Sequence, residues 1–386
     1  MAQNSTLTEG GCWRWSFLLR SPNSSEPEST LSRSLVGQRD ALNLKIINPL
    51  MDSRWDDLVS QHPRASVFHQ RGWLQALSLT YGYAPFVLTS ASAREPLKDG
   101  IVFCRVSSWI TGTRLVSLPF ADHCEPLVDD DAKIPELMNY FRAECDCRYW
   151  KYAEFRPLYG GQEPDFGLEP TGSYWAHELD TRPCLDQIVR GMHKNSFRRK
   201  IRRAYREKLS YEVGTSQSQL DEFYRLLLIT RRRHLLLPQP RSWFKNLVAS
   251  MGDRVQIRLA RKDGVPVAGM LTLRHRSCVV YKYGCSDGRF HKMGSMPFLF
   301  WKLIEDCKAS GVESIDLGRS DLTQKGLIVF KDRLGATKSL LTYYRYTNPK
   351  EPRMLTWEPP GFAGLFSMLP DAILSAAGGL VYKHIG

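Results

Sequence analysis

Apolar positions in the second half of the chain change their period several times, and each change predicts an element. Phe197, Ile201, Ala204, Tyr205 and Leu209 fall at i, i+4, i+7, i+8 and i+12, so the spacing predicts a helix with one apolar stripe on an otherwise basic surface. Ser218 with Asp221 three residues on predicts the start of a second helix, which buries Leu220, Phe223, Tyr224, Leu227 and Leu228 and which Pro238 ends. Val255, Ile257 and Leu259 then alternate with Gln256, Arg258 and Ala260. Asp263-Gly264 supplies a tight hairpin turn into a strand from Val265 to Leu273, and Ser277 to Cys285 makes a third strand. Gly294-Ser295 and Pro297 are start signals for a helix with Phe300, Leu303, Ile304 and Cys307 inward, stopped by Gly311. A strand at Ser314 to Leu317, a helix over about Lys325 to Leu334 and a strand at Leu340 to Tyr346 complete a mixed α/β order.

The first half is fainter. A helical stretch at Trp73, Leu74, Ala76 and Leu77 precedes strand-like runs at Phe86 to Thr89, Ile101 to Val106, Leu115 to Leu118, Tyr149 to Phe155 and Trp175 to Leu179. Residues 1–43, rich in Ser, Pro, Asn and Glu, read as a flexible tail. At the other end, Pro359 to Tyr382 carries Phe362, Leu365, Phe366, Leu369, Ile373 and Leu374, but Pro370 and Asp371 interrupt it. It is therefore unsuited to spanning a bilayer, and packing on the body is preferred to lying in a membrane interface.

Charge changes the picture more than composition does. The 386 residues suit about two domains, and 42% hydrophobic residues suit a globular chain. Lys and Arg number 53 against 40 Asp and Glu, a net +13. Lys194 to Lys208 alone carries +7, and with Arg231, Arg232 and Arg233 it accounts for ten of the thirteen. Such a run reads either as a solvated helix face or as a dock for phosphates on a substrate, an RNA or a membrane surface. Nine cysteines without a Cys-x-x-Cys pair argue against a zinc site or disulfide scaffold and for a reducing cytosol, and nine scattered histidines give no metal site. Signatures of P-loop and Rossmann nucleotide binding, of serine hydrolases and of His-Glu-x-x-His metalloenzymes are absent.

Three passages carry candidate chemistry. The basic helix is one. The second runs from Tyr281-Lys282-Tyr283-Gly284-Cys285 to Gly294-Ser295-Met296-Pro297, where a helix start after glycine presents free N–H groups suited to a pyrophosphate. The third is Ser314-Ile315-Asp316-Leu317-Gly318-Arg319-Ser320-Asp321 with Gly326 and Val329-Phe330-Lys331: a charged cluster at a strand end, with Lys331 on the following helix able to reach back to it. The plainer reading of the third is a surface strand end with a helix salt bridge, and the alternative to Asp316 as a base is a structural carboxylate paired with Arg319.

Phe68-His69-Gln70-Arg71-Gly72-Trp73-Leu74 with Tyr81-Gly82-Tyr83, the Asn195 to Arg203 helix, Asp263 to Gly269, Tyr281 to Gly284, and the block from Asp316 through Phe330-Lys331 to Gly335 together resemble the FemAB-like branch of the GNAT acyltransferase superfamily, over about Leu44 to Tyr346. The resemblance implies tandem GNAT-like domains with mixed, mostly antiparallel sheets flanked by helices, at 44–180 and 181–350, followed by a tail at 351–386. It implies transfer of an acyl or aminoacyl group from acyl-CoA or aminoacyl-tRNA to an amine, often on a cell-envelope precursor, and it gives the lysine of Phe-Lys, here Lys331, a contact with substrate. Two departures stand out. The coenzyme-A loop, usually Gln/Arg-x-x-Gly-x-Gly/Ala, reads His291-Lys292-Met293-Gly294-Ser295-Met296, and the long helical arm of some tRNA-using relatives has no counterpart.

The expected enzyme is thus an N-acyltransferase in which the amine attacks directly, so positioning, a proton acceptor and a stabilised oxyanion suffice. Lys331 is the candidate charge stabiliser, Asp316 the base or orienter and Tyr283 a lining or acid group. Arg319, Ser320, Phe330, Arg231 and His234 are candidates for substrate binding, and Gly294 and Ser295 for the donor phosphates. No tightly bound cofactor or metal is expected. The expected partners are the activated donor, tRNA among them, and an amine acceptor that lipid linkage could hold at the inner membrane face of the cytoplasm. The alternative is a non-catalytic module binding RNA or acidic lipid through 194–208.

Overall fold

The alternation in the second half becomes a run of long paired strands, and the fainter first half repeats their order. The computed structural model describes residues 44–148, 150–158, 167–349 and 370–385; the predicted N-terminal tail and the segment 350–369 lie outside them. The first series is β1 (Lys45–Ile47), α1 (Arg54–Gln61), α2 (Arg71–Tyr81), β2 (Ala84–Thr89), β3 (Ile101–Ser108), β4 (Gly112–Val116), α3 (Ile134–Arg148), β5 (Tyr152–Phe155) and β6 (Glu169–Asp180). After α4 (Leu185–Gly191), a π-helical turn at Lys194–Arg198 and α5 (Arg199–Arg206), the second series is β7 (Ser210–Gly214), α6 (Gln217–Arg233), α7 (Arg241–Met251), β8 (Val255–Lys262), β9 (Val265–His275), β10 (Cys278–Ser286), α8 (Ser295–Ala309), β11 (Ser314–Asp321), α9 (Lys325–Leu334) and β12 (Thr337–Thr347). Helix α10 (Asp371–Ile385) follows.

Each series is a strand, two helices, three strands, a helix and a fifth strand. In both, the first four strands pair antiparallel and the fifth runs parallel to the fourth. The sheet order is β1-β2-β3-β4-β5-β12-β6-β11-β10-β9-β8-β7. The sixth strands are exchanged: β6, next after β5 in the chain, pairs with β11, while β12 pairs with β5 and with β6. This exchange joins the two halves into one mostly antiparallel twelve-stranded sheet.

A core shared by both halves fills one face. It contains Trp55, Phe68, Trp73 and Leu77 from the first series and Leu227, Trp243, Phe244 and Tyr283 from the second. Trp73 meets Trp243 edge to face, with centroids 5.2 Å apart. A second core, with Phe197, Ile201, Phe298, Leu303, Ile315 and Leu334, lies under α5, α8 and α9.

Local chemistry accounts for most boundaries. Asp263 and Gly264 both adopt positive φ, 49° and 79°, as a two-residue hairpin turn demands. Helix α6 starts at Ser216, not Ser218, because Ser216 and Gln219 form the capping box; its last helical residue is Arg233, before Pro238. The predicted helix over Phe197 to Leu209 is a π turn followed by α5; it ends at Arg206, and Lys208 takes positive φ. Phe197, Ile201, Ala204 and Leu209 are buried as expected, but Tyr205 is exposed, its ring set against Phe298 and Lys302. Strand β4 stops at Val116 because Leu118 turns with φ 63°. Strand β5 begins at Tyr152; Tyr149, placed in that strand by its sequence, lies outside the described residues. Helix α7, which has no strong capping signal, is not apparent from the sequence pattern.

Helix α10 packs on the body. Asp371 pairs with Arg232 at 2.6 Å, Tyr224 Oη donates to Ser375 Oγ at 2.8 Å, and Tyr83 Oη donates to the Tyr382 carbonyl at 2.8 Å. Among the described residues, no helix is long and apolar enough to cross a membrane.

Candidate active site

The site begins with a defect in the sheet. β10 and β11 pair only from Cys278 to Val280 against Ser314 to Asp316, although both strands continue for five or six residues more. Beyond that point β10 stays with β9 and β11 with β6, so a notch opens between them. Both strands are irregular at its edge: β10 bulges at Lys282, between Tyr281 and Tyr283, and β11 shifts register between Asp316 and Arg319, where Gly318 has φ +70°. In the first half the corresponding divergence is closed by local hydrogen bonds. Ser117 N–H donates to the Glu154 carbonyl, Arg156 N–H to Ser117 Oγ and Cys124 N–H to the Arg156 carbonyl.

Lys331 reaches this notch from α9. Its Nζ donates to the carbonyl oxygens of Gly318 at 2.8 Å and Arg319 at 3.2 Å, and only 3% of the residue is exposed. Burial pulls its pKa down to about 8, against the opposing pull of the Asp122 and Asp316 carboxylates. An ammonium has three N–H donors, so the two carbonyls leave one for a ligand.

The loop after β4 brings the first half's contribution. The Asp122 carboxylate lies 2.8 Å from Lys282 Nζ and so close to Gly318 that a Cβ there would come within 3.1 Å of it. Burial pushes the Asp122 pKa up, but Lys282 beside it holds it below the usual aspartate range. Next in the chain, His123 sits between two carboxylates, with Nδ1 2.7 Å from Glu125 and Nε2 3.1 Å from Asp316. Burial opposes the imidazolium, yet these two neighbours raise the pKa well above the usual histidine value. Asp316 also accepts the Gly318 N–H at 2.7 Å, which holds the turn that presents Gly318 O to Lys331.

Two cavities flank the notch. One, of about 380 Å³, lies at the N-terminus of α8 and is lined by Ser196, Lys200, His291, Ser295, Phe330 and Arg333, among others. Gly294 caps the helix with φ +80°, and a Cβ there would strike the Lys200 carbonyl at 2.4 Å. Ser295 Oγ is buried without a hydrogen-bond partner. The first-turn N–H groups of α8 point out of the helix, and burial together with Arg233 and Lys200 lowers the pKa of His291. The other cavity, of about 550 Å³, lies between the halves and is lined by Arg64, His123, Glu125, Glu178, His275 and Asp316, with others. Glu125 Oε2 is buried there without a hydrogen-bond partner.

The structure therefore brings together Lys331, Asp316, Gly318 and Arg319 at the notch, and Phe330 and Ser295 at the smaller cavity, with Gly294 next to Ser295 as the helix cap. Asp316 and Arg319 are not paired as the structural alternative for Asp316 had them: Asp316 turns to His123, whereas the Arg319 guanidinium lies 4.2 Å from the centroid of the Tyr174 ring and 5.0 Å from that of Tyr343. Ser320 is buried with an unpartnered Oγ. Tyr283 belongs to the shared core, where its hydroxyl accepts from Trp243 Nε1 at 2.9 Å. Arg231 reaches Gln239 Oε1 at 3.2 Å, and His234 is exposed at the end of α6; neither lines the two cavities. Asp122, His123, Glu125 and Lys282 received no role from the sequence. The signal available was the polar run Asp122-His123-Cys124-Glu125 between apolar stretches. Among the described residues, no group of His, Cys, Asp and Glu is placed to hold a metal ion.

Residues 192–326 match the family described as the acetyltransferase (GNAT) domain. A Weissella viridescens protein, UDP-N-acetylmuramoylpentapeptide-lysine N(6)-alanyltransferase, is 25% identical over 157 residues, which make up 39% of this chain and 44% of that one; the match thus spans less than half of the relative. Among solved structures, FemX superposes with a TM-score of 0.63 at 12% identity, covering 77% of this chain and 96% of that one. The C-terminal domain of an Agrobacterium fabrum protein described as a lysylphosphatidylglycerol synthetase gives 0.51 at 16%, covering 75% and 89%. Residues 192–326 thus carry a match to the GNAT acetyltransferase domain, and the exchanged-strand architecture around them is similar in fold to FemX.

Proposed function

We propose that the protein is an N-acyltransferase that moves an acyl or aminoacyl group from a phosphate-bearing carrier to an amine on a cell-envelope precursor. The observation that carries this reading is Lys331 Nζ at 2.8 Å from Gly318 O, a desolvated cation in the notch between β10 and β11. The cavity at the α8 N-terminus, with Lys200, Arg333 and outward N–H groups, suits the carrier's phosphates. In the cavity between the halves Glu178 and Asp316 can meet the acceptor's ammonium, while Arg64, Arg276 and Lys338 in the same lining suit acidic groups beside it.

Transfer needs no enzyme nucleophile. The amine nitrogen bonds to the carbonyl carbon, the oxyanion that develops is met by the third donor of Lys331, and the carbon–oxygen or carbon–sulfur bond to the carrier breaks. The proton released from nitrogen passes through a carboxylate of the notch, Asp122 or Asp316, to the carrier oxygen or sulfur, which departs with the electron pair of the broken bond. The alanyltransferase that this chain resembles acts, by its name, on the lysine of a UDP-N-acetylmuramoyl pentapeptide; a lysine-type amine is the acceptor proposed here.

Lys194, Arg199, Lys200, Arg202, Arg203 and Arg206 are exposed, and Lys200 also lines the cavity at α8. This exposed basic face, continuous with the donor cavity, favours an RNA carrier over coenzyme A. Tight contact with a membrane is not required by this reading, although a lipid-linked acceptor would bring the enzyme to the cytoplasmic face of one.

The deciding experiment is incubation of the purified protein with labelled acetyl-CoA or labelled aminoacyl-tRNA and candidate amines. Consumption of charged tRNA, with a rate falling steeply as salt rises, supports the RNA carrier. Consumption of acetyl-CoA with little salt dependence replaces it, and transfer from neither donor overturns the acyltransferase reading in favour of a binding module.

A further inference from the structure

A third cavity, the largest of those described here at about 740 Å³, lies at the opposite end of the second half's sheet from the notch. It opens where α8 ends. Above it, Ala260, Val267, Ala268 and Met270 bury an apolar surface under the helices. Below the end of α8 the same strands turn polar, with Arg258, Thr272 and Arg274 facing the space beside Asp306 and Ser310. The floor is Arg258, only 4% exposed, whose Nε and Nη1 are buried without a hydrogen-bond partner. Asp306 is 3.6 Å from Nη1 and already accepts the Tyr211 hydroxyl at 2.5 Å, and the other carboxylate of the lining, Asp253, is exposed. Arg254 stands exposed at the rim, and Arg274 lines the wall while donating to the Arg276 and Ser310 carbonyls.

A buried guanidinium offers five fixed N–H donors, and leaving two of them unsatisfied is costly unless something fills the space in front of them. We propose that this cavity binds a small phosphate-bearing ligand, with Arg258 donating from the floor and Arg254 and Arg274 closing on the outer oxygens. Planar guanidinium donors match phosphate oxygens, and the volume falls in the range of small-molecule sites. The site is separate from the acyl-transfer notch, so the ligand binds without entering the reaction.

The test uses inorganic pyrophosphate on the full chain, with amide hydrogen exchange as a local readout and sodium chloride at matched ionic strength as control. Pyrophosphate is expected to protect the segments 253–258 and 306–312. That protection should need about tenfold more pyrophosphate, or vanish, in Arg258→Met and in Arg254→Ala, and persist in Lys200→Ala, which alters only the cavity at the α8 N-terminus. Arg254 is exposed, so its variant remains informative should Arg258→Met fail to fold. No protection of these segments, protection at the α8 N-terminus only, or protection unchanged in the folded arginine variants would overturn the proposal.

Discussion

Lys331 Nζ donates to the carbonyl oxygen of Gly318 across 2.8 Å, tying helix α9 to the one strand position whose positive φ breaks the register of β11. The contact serves two ends at once. It satisfies carbonyls that the irregular strand leaves without a ladder partner, and it sets a cation at the mouth of the notch. Two of the three donors are spent on the backbone, so the ammonium is oriented before any ligand arrives.

Lys331→Ala is expected to lower kcat about a hundredfold or more, the usual scale for losing one preorganised charge-stabilising donor, with far-ultraviolet circular dichroism unchanged. Lys331→Arg should not restore the rate, because a planar guanidinium cannot occupy the ammonium's position on both carbonyls. Single-turnover kinetics with whichever donor supports transfer would check both; a wild-type rate in Lys331→Ala removes this residue from the chemistry.

The lowered pKa of Lys331 gives a pH dependence of known sign. With the folded value near 8 and the free lysine value at 10.5, the unfolded chain binds more protons between these limits. Stability contributed by this group therefore rises with pH across that window, by on the order of 3 kcal/mol in total. Activity should do the reverse, falling as pH climbs through about 8 and the ammonium discharges. Urea denaturation at pH 7 to 10 of the wild type and Lys331→Met tests the first statement: the variant should lack the wild type's upward slope.

His123→Asn should destabilise by about 3–5 kcal/mol, because it leaves the Glu125 and Asp316 carboxylates buried without their shared cation. Since the folded imidazole titrates above the free value of 6.5, its stabilisation is whole below that value and is lost as pH rises through the folded pKa. Comparing chemical denaturation midpoints of wild type and variant at pH 5.5 and pH 9 should show the gap between them narrowing at the higher pH.

Gly294→Ala combines a strained φ with a Cβ 2.4 Å from the Lys200 carbonyl. A cost of about 1–3 kcal/mol is expected, together with a shift of the segment holding Lys200 and hence a raised KM for the donor. A thermal melt and donor titration check this, and Gly191→Ala, where a Cβ meets nothing within 4 Å, is the control.

Elements whose signals are local were legible in the chain. The Asp263-Gly264 hairpin, α8 after Gly294 and the buried face of α6 follow from turn chemistry, capping and period, which act over a few residues. The Phe330-Lys331 pair and the Asp316 to Ser320 strand end were visible as candidate chemistry for the same reason, since strand, turn and helix are contiguous there.

The amino-acid sequence by itself determined the α/β order, the position of the notch-forming strand and the concentration of positive charge on one helix. Tertiary structure alone decided the exchange of β6 and β12 and the delivery of Asp122, His123 and Glu125 to Lys282 and Asp316 from about 160 to 190 residues away. It also decided the turning of Arg319 onto Tyr174 and Tyr343 rather than toward Asp316. Strand exchange and ion pairing across such separations depend on which surfaces meet after both halves have folded, and neither periodicity nor spacing encodes that meeting.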